Sequence, residues 1–477
     1  ALAGVSSSPA WNAAYAPLRD RAGDIDVDVR DLAAATVFTV AAPERRLTAH
    51  LRALRTGAGA PLVSMARGRE DVMSRAGLVE LRGAVRQDQH QVGEPPHLFE
   101  GGTFAISPNG EWQVTRSEDA PFVLTLPRGK MPAQGFPMLW YVHGTGGDQV
   151  QAIDRGPKAR PGIPNNPGTG MASWLAPQGI ATACVAGPYS PERIGDRALD
   201  GYGAYPFPNP AGMRDNFGQM LIEHVRFLRF LETVEIDASL APEVDASASK
   251  DGKIRFDTSR LVIAGHSLGS YLTGMLAGAL DDVDGAVLSG AGGTWVEFAF
   301  GPKDPIDLQG VVETLALPPG EDLDRFHPFI DVFAFAAAAA DNTLYTRHML
   351  RDVAGKQSAP HVLVIEGQPD AQVPTGLQRA LVRSVGADFV GTDVGARSRD
   401  RLLPGIHAIG KAARAGAVVD NVNVDGFGAR TAVAVRYAED GKLDGHSVLF
   451  QRKDTQALFV GFVTTVLNGG APVVEKE

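Results

Sequence analysis

"LVIAGHSLGS", residues 261–270, joins four apolar strand-forming residues to Gly265-His266-Ser267-Leu268-Gly269. The "RLVIA" before it predicts a buried strand, and the small and apolar residues of "LGSYLTGMLAGAL" after it predict a buried helix. A serine bracketed by glycines at such a junction has two readings: a tight structural turn, or a nucleophile held on a strained one. With 55 glycines in the chain, a lone Gly-x-Ser-x-Gly carries little weight. Its setting between strand and helix is what the nucleophile requires. The flanking glycines remove Cβ atoms and let helix and neighbouring strand approach. The serine then projects above the sheet at a helix N-terminus, where backbone N–H groups favour developing negative charge.

The stretches around this junction have the same character. "FPMLWYVHG", "GIATACVAG", "GAVLSGAGG" and "HVLVIEGQPD" are apolar runs ending in glycine, polar or acidic residues. Such runs suit strands covered on both faces of a parallel sheet. Between them, segments such as "RDNFGQMLIEHVRFLRFLE" at 214–232 carry apolar residues at helical spacing. The alternation predicts a doubly wound, mostly parallel α/β core over residues 121–477. Two stretches interrupt it, at about 294–360 and about 385–430, and are expected to be lid-like insertions above the strand ends. Residues 1–120, with short runs such as "ATVFTV" and "EWQVTR" between turn-rich pieces, are expected to form a small β-rich N-terminal domain. The acidic "DIDVDVRD" at 24–31 lacks the glycine and terminal glutamate of a known calcium loop and reads as an exposed strand edge.

Bulk properties exclude several classes. At 477 residues the chain exceeds one ordinary core, and 44% hydrophobic with 21% charged residues is globular composition. A net charge of −10, without any run of four basic residues, argues against nucleic acid or an anionic membrane as partner. The longest apolar tract, "VFAFAAAAA" at 332–340, is too short to span a bilayer. One cysteine, Cys184, excludes an internal disulfide framework and a cysteine-rich zinc site, and within "IATACVAG" it reads as a core thiol. No His/Asp/Glu cluster has zinc spacing, and the nucleotide-binding glycine motifs are absent. No metal and no cofactor is expected. The start at Ala1 without methionine fits an exported protein, periplasmic or extracellular, whose leader has been removed. Oligomeric state is not legible.

A serine hydroxyl needs a base. In this architecture the chain order is serine, acid, histidine. Of eleven histidines, His407 and His446 lie beyond the best acid. His446, in "LDGHSVLF" after the strand-like "RTAVAVRY", is favoured, and His407 in "PGIHAIGKAARAG" reads as part of an insertion. Asp370, just past the "HVLVIEG" strand, is placed to hold the histidine Nδ1–H. Glu366 is closer to the strand and reads as a wall or turn residue, and Asp331 and Asp341 precede the strand. An oxyanion hole would draw one backbone N–H from the "HGTGG" loop, at Thr145 or a neighbouring glycine, and one from Leu268. His143 and His266 read as structural.

"HGTGG", "GHSLG", "GQPDAQVP" and "DGHSVLF", in this order, resemble the α/β-hydrolase superfamily, and specifically its bacterial exported esterase and lipase branch. The resemblance covers about residues 121–470. It implies an α/β-hydrolase fold and acyl-enzyme chemistry without a cofactor. Its Ser–His–Asp triad would be Ser267, His446 and Asp370, with oxyanion donors at Leu268 and Thr145. The N-terminal region and the two insertions depart from compact members and leave the substrate open.

The expected reaction is hydrolysis of a carboxylic ester, small or polymeric. An acyltransferase or amidase would use the same triad, and a non-catalytic binding protein could keep the fold. Trp295 and Phe298, after the "LSGAGGT" strand end, could wall a substrate pocket or pack the core. The insertion "FIDVFAFAAAAADNTLY" could be a lid, an acyl-pocket wall or a helix buried against the sheet.

Overall fold

The computed structural model describes residues 9–21, 41–302, 307–315, 317–390, 408–409 and 417–475. Two compact units divide at Pro43/Glu44. The described part of the first is one helix, α1 (Pro9–Arg21), with Pro17 inside it. The "DIDVDVRD" stretch and His407 lie outside the described residues.

The second unit is built on one mixed sheet of eleven strands. In chain order they are β1 (Leu62–Arg67), β2 (Leu78–Gln89), β3 (Arg116–Pro127), β4 (Phe136–Val142), β5 (Ala181–Val185) and β6 (Phe256–His266). Then come β7 (Val283–Ser289), β8 (His361–Gln368), β9 (Asp388–Val390), β10 (Ala408–Ile409) and β11 (Ala432–Ala438). Across the sheet they lie in the order β1-β2-β3-β5-β4-β6-β7-β8-β11-β9-β10. From β5 onward neighbouring strands are parallel, whereas β1, β2 and β3 pair antiparallel with one another and β3 pairs antiparallel with β5.

This sheet corrects the expected domain boundary. Residues 62–127 are β-rich as read, but their strands extend the central sheet, and the boundary placed near residue 120 falls inside β3. The physical reason is burial. The C-terminal half of β3, Val123 to Pro127, is buried throughout, so it requires a cover on both faces and a partner at each edge. β2 supplies one edge and β5 the other. The second insertion is likewise less separate than expected, because Asp388–Val390 and Ala408–Ile409 continue the sheet beyond β11.

Strand alternation sends residues to two cores. Leu261 and Ile263 join a cluster with helices α2 (Arg45–Arg55), α3 (Pro210–Thr233) and α4 (Leu268–Ala279). Val262 and Ala264 join the opposite cluster with helix α8 (Lys453–Leu467). Two-sided burial makes the strand sequence a continuous apolar run. Cys184, on β5, is a buried free thiol, as its surroundings predict. Among the described residues, no helix is long and apolar enough to cross a membrane.

Three further helices border the strand ends: α5 (Trp295–Phe300), α6 (Pro328–Ala336) and α7 (Thr375–Val385). α6 buries Ile330 and Phe333, while Val332 and Phe335 are 69% and 81% exposed. The apolar insertion is therefore a two-sided helix, one face inward and one face in solvent.

Candidate active site

Ser267 sits between β6 and α4 with φ 58° and ψ −125°. A non-glycine residue in this region is strained and persists only where its surroundings over-determine it. Here they do. Ser267 N donates to Ser289 O at 2.9 Å, and Tyr271 N donates to Ser267 O at 3.0 Å. Ser270 Oγ shares its one proton between Gly265 O at 2.6 Å and Ser289 O at 2.8 Å, and accepts from Ser289 N at 2.7 Å. The glycines are required by close approach. A Cβ on Gly269 would lie 2.0 Å from Val142 O, and one on Gly265 would lie 2.3 Å from Gly269 C.

Asp370 lies two residues past β8, and His446 in a single helical turn, Gly445–Ser447, after β11. The structure brings them together: His446 Nδ1 is 3.0 Å from Asp370 Oδ2, with both residues buried. The other carboxylate oxygen accepts from Gln372 N at 3.0 Å and Val373 N at 2.7 Å. Two backbone donors thus fix the acid, and the acid fixes the imidazole so that Nε2 faces away.

The two loops are also fastened directly. Gly445 N donates to Pro369 O at 2.7 Å. Asp444 accepts from Ala371 N at 3.1 Å through Oδ2 and from His446 N at 2.8 Å through Oδ1. Gly367 and Gly445 touch so closely that a Cβ on Gly367 would lie 1.9 Å from Gly445 O.

Gly290, at the end of β7, lies against His446. A Cβ there would be 3.1 Å from both His446 Nδ1 and His266 Cε1. The Ser267–His446 hydrogen bond is not formed in this structure, and such bonds are often long until substrate draws them in.

The other acids are otherwise engaged. Glu366 is in a buried ion pair with Arg436, 2.7 Å apart. Asp341 accepts from Trp295 N at 3.2 Å and Thr343 N at 2.9 Å, anchoring α5. Asp331 is on the exposed side of α6. His143 holds the glycine loop: its Nδ1 is 3.0 Å from Gly144 O, and its Nε2 accepts from Gly187 N at 2.9 Å. Burial pushes the His143 imidazole below its ordinary pKa, which keeps Nε2 an acceptor. His266 is buried beside His446, ring centroids 4.8 Å apart, and burial pushes its pKa well down too.

Ser267, Leu268 and Thr145 open onto one cavity of about 100 Å³. Aromatic rings form a large part of its wall, with Tyr205, Phe217, Tyr271, Trp295 and Phe298 among them. Trp295 is at once a cavity wall and a core residue. It lines the cavity, yet is 2% exposed and meets Phe217 edge-on at 5.2 Å. Phe298 stacks on Tyr205 at 6.2 Å. Tyr205, from the "GYGAYPFPNP" loop, bonds its hydroxyl to Thr145 Oγ1 at 3.0 Å and so ties the glycine loop to the wall. Sequence reading missed Asp444, Phe217 and Tyr271. Only the alignment of Phe217 and Tyr271 on the inner faces of α3 and α4 could have suggested the last two. Among the described residues, no group of three His, Cys, Asp or Glu is arranged to hold a metal.

No family model matches the sequence, and no curated protein matches it. Solved structures similar to it include an acylaminoacyl peptidase from Pyrococcus horikoshii, at 12% identity and TM-score 0.39, covering 76% of this chain and 41% of that one. An acetyl xylan esterase from Paenibacillus sp. R4 is similar at 10% identity and TM-score 0.38, covering 73% and 87%. The chain thus spans about 41% of the length of the peptidase structure. The strand order and the serine turn described above, independently of these likenesses, make this an α/β fold with a large, mostly parallel sheet carrying a strand–serine–helix elbow at its edge of loops.

Proposed function

We propose that this protein is a serine hydrolase that cleaves carboxylic esters of short acyl groups through an acyl-enzyme. The observation that carries the proposal is the join of two features. A strained serine opens onto a small aromatic cavity, and a buried carboxylate lies 3.0 Å from the histidine beside it. In the reaction, Ser267 Oγ attacks the ester carbonyl carbon and its proton passes to His446 Nε2. Asp370 holds the imidazolium that forms. The oxyanion rests on the Leu268 and Thr145 N–H groups. The carbon–oxygen bond to the alcohol then breaks, and the alcohol leaves with the proton from His446. Water attacks the acyl-enzyme, giving His446 a proton that returns to Ser267 Oγ as the acid departs.

Cavity size limits the acyl group. An apolar cavity of about 150 Å³ accommodates benzene, and this one is about 100 Å³. It has room for an acetyl to butanoyl group. Initial rates on p-nitrophenyl esters from acetyl to palmitoyl, for the native chain and Ser267→Ala, test the proposal. The expected result is a maximum at two to four carbons and a loss of several orders of magnitude in the variant. Equal rates in both proteins would refute Ser267 as the nucleophile. A maximum at long chains would refute the cavity as the acyl site. Turnover of anilides but not esters would move the reaction to amides, and ester turnover yielding only transfer to an added alcohol would make it an acyltransferase.

A further inference from the structure

The segment that carries His446 also walls a second cavity. It measures about 180 Å³, shares no lining residue with the aromatic one, and is bounded by Arg155, Lys158, Gly162, Ser447, Phe450 and Gln451 among others. The Arg155 guanidinium lies 4.4 Å from the centre of the Phe450 ring. Phe450 meets His266 edge-on at 4.8 Å, and His266 lies 4.8 Å from His446.

Two cationic residues, Arg155 and Lys158, line this space, and no acidic residue does. Among the described residues, Arg155 makes no ion pair, and its close partner is the Phe450 ring. The charge that reaches the Lys158 ammonium is that of Arg155, a second cation. Burial pulls both groups below their ordinary pKa values.

The fully buried arginines of the same molecule are handled differently. Arg193 pairs with Glu118 and Glu223, and Arg436 with Glu366. Arg155 and Lys158 are half-buried, and a cation that keeps water but has no carboxylate partner of its own is free to take up an anion from solution. The nearest carboxylate in the hydrogen-bond scheme of this wall, Asp440, accepts from Gln451 Nε2 at 3.0 Å. Gln451 in turn holds the backbone of Lys158, accepting from its N–H at 2.7 Å and donating to its carbonyl at 2.9 Å. Both cation-bearing positions are therefore fixed against the histidine segment. The wall holds the two positive groups in place and leaves their charge unanswered.

We propose that this cavity binds a small oxyanion, a phosphate or carboxylate group, between the Arg155 guanidinium, the Lys158 ammonium and the Ser447 hydroxyl. The guanidinium fork matches two oxygens of such a group, and the ammonium supplies a point charge beside it. The proposal does not rest on ester hydrolysis, since binding is measured without turnover.

Calorimetric titration of the full chain at constant ionic strength tests it, with inorganic phosphate and acetate as free ions and phenyl phosphate as the same group on a larger molecule. The expected result is saturable binding of at least one probe at one site. Arg155→Gln should weaken it at least tenfold, Lys158→Gln several-fold, and Ser267→Ala should leave it unchanged. Binding of phosphate and not phenyl phosphate would assign the site to free ions, and the reverse would assign it to a carried group. No saturable binding by any probe, or binding that both cation variants leave intact, would overturn the proposal. Loss of binding in Ser267→Ala would do the same, because the anion would then sit in the aromatic cavity. Should Arg155→Gln fail to fold, Lys158→Gln and Ser447→Ala carry the test.

Discussion

Replacing Asp370 by asparagine separates the electrostatic role of this side chain from its structural one. In the native site Oδ1 accepts two backbone N–H groups, at 3.0 and 2.7 Å, and Oδ2 faces His446 Nδ1 at 3.0 Å. Asparagine can keep the first pair through its carbonyl oxygen, so the loop after β8 should hold. Its amide nitrogen then stands where Oδ2 stood and presents a donor to Nδ1. That contact favours the imidazole tautomer with the proton on Nε2, which cannot accept the serine proton. In a triad of this kind the wrong tautomer lowers kcat about 10⁴-fold, or about 5.4 kcal/mol of barrier. The assay is kcat/KM on a short-chain p-nitrophenyl ester, beside a melting curve of the same preparation. The expected outcome is a loss of three to four orders of magnitude with the melting temperature changed by only a few degrees. A loss of tenfold or less in a folded variant would refute Asp370 as the residue that orients the base. An equal loss of activity and fold would mean that its backbone contacts are its main work.

Gly269→Ala should destabilise the protein by about 3 kcal/mol or more, read by thermal unfolding. The new Cβ would lie 2.0 Å from the Val142 carbonyl oxygen, inside the sheet where the backbone cannot yield. Phe298→Ala should enlarge the aromatic cavity and move the best ester toward longer acyl chains by about two to four methylenes, each worth about 0.8 kcal/mol when buried. An unchanged chain-length profile would place the acyl group elsewhere. Partial desolvation, although Glu192 is largely exposed, and the neighbouring Asp148 raise its carboxyl from the ordinary value to about 7. The native state therefore binds more protons than the unfolded state between about pH 4.5 and 7, and this group's contribution to stability is present at low pH and lost as pH rises through 7. Glu192→Gln should raise the melting temperature at pH 8 and have little effect near pH 4.5. A gain of the same size at both pH values would refute that origin.

The parts of the site legible in the sequence are those whose chemistry is written locally. The elbow at Ser267 was readable because a strand pattern, two glycines and a helix pattern adjoin within a few residues, and close approach at Gly265 and Gly269 requires that composition. Asp370 and His446 followed from chain order and from their places just beyond strand-like runs. Their mutual fastening through Asp444 was not readable, since one more aspartate in a polar loop has no distinguishing pattern. Phe217 and Tyr271 look like ordinary core positions of α3 and α4, and only the meeting of those helices with α5 turns them into cavity walls. The membership of β1, β2 and β3 in the central sheet was equally hidden. Strand pairing joins residues far apart in the chain, and a short alternating run does not name its partner. Trp295 fell between two expectations because a cavity wall and a core position are here the same place.

The three residues proposed to act together hang from β6, β8 and β11, and His446 enters the chain 179 residues after Ser267. A ribosome adding about 5–20 residues per second needs on the order of 9–36 seconds to cover that interval. For all that time the elbow exists without its base. α8, which packs beneath β6, is made later still. On the proposed function, nascent chains that lack His446 would be inert, and the appearance of activity in a timed synthesis would mark completion of the last sheet strand and the helix below it.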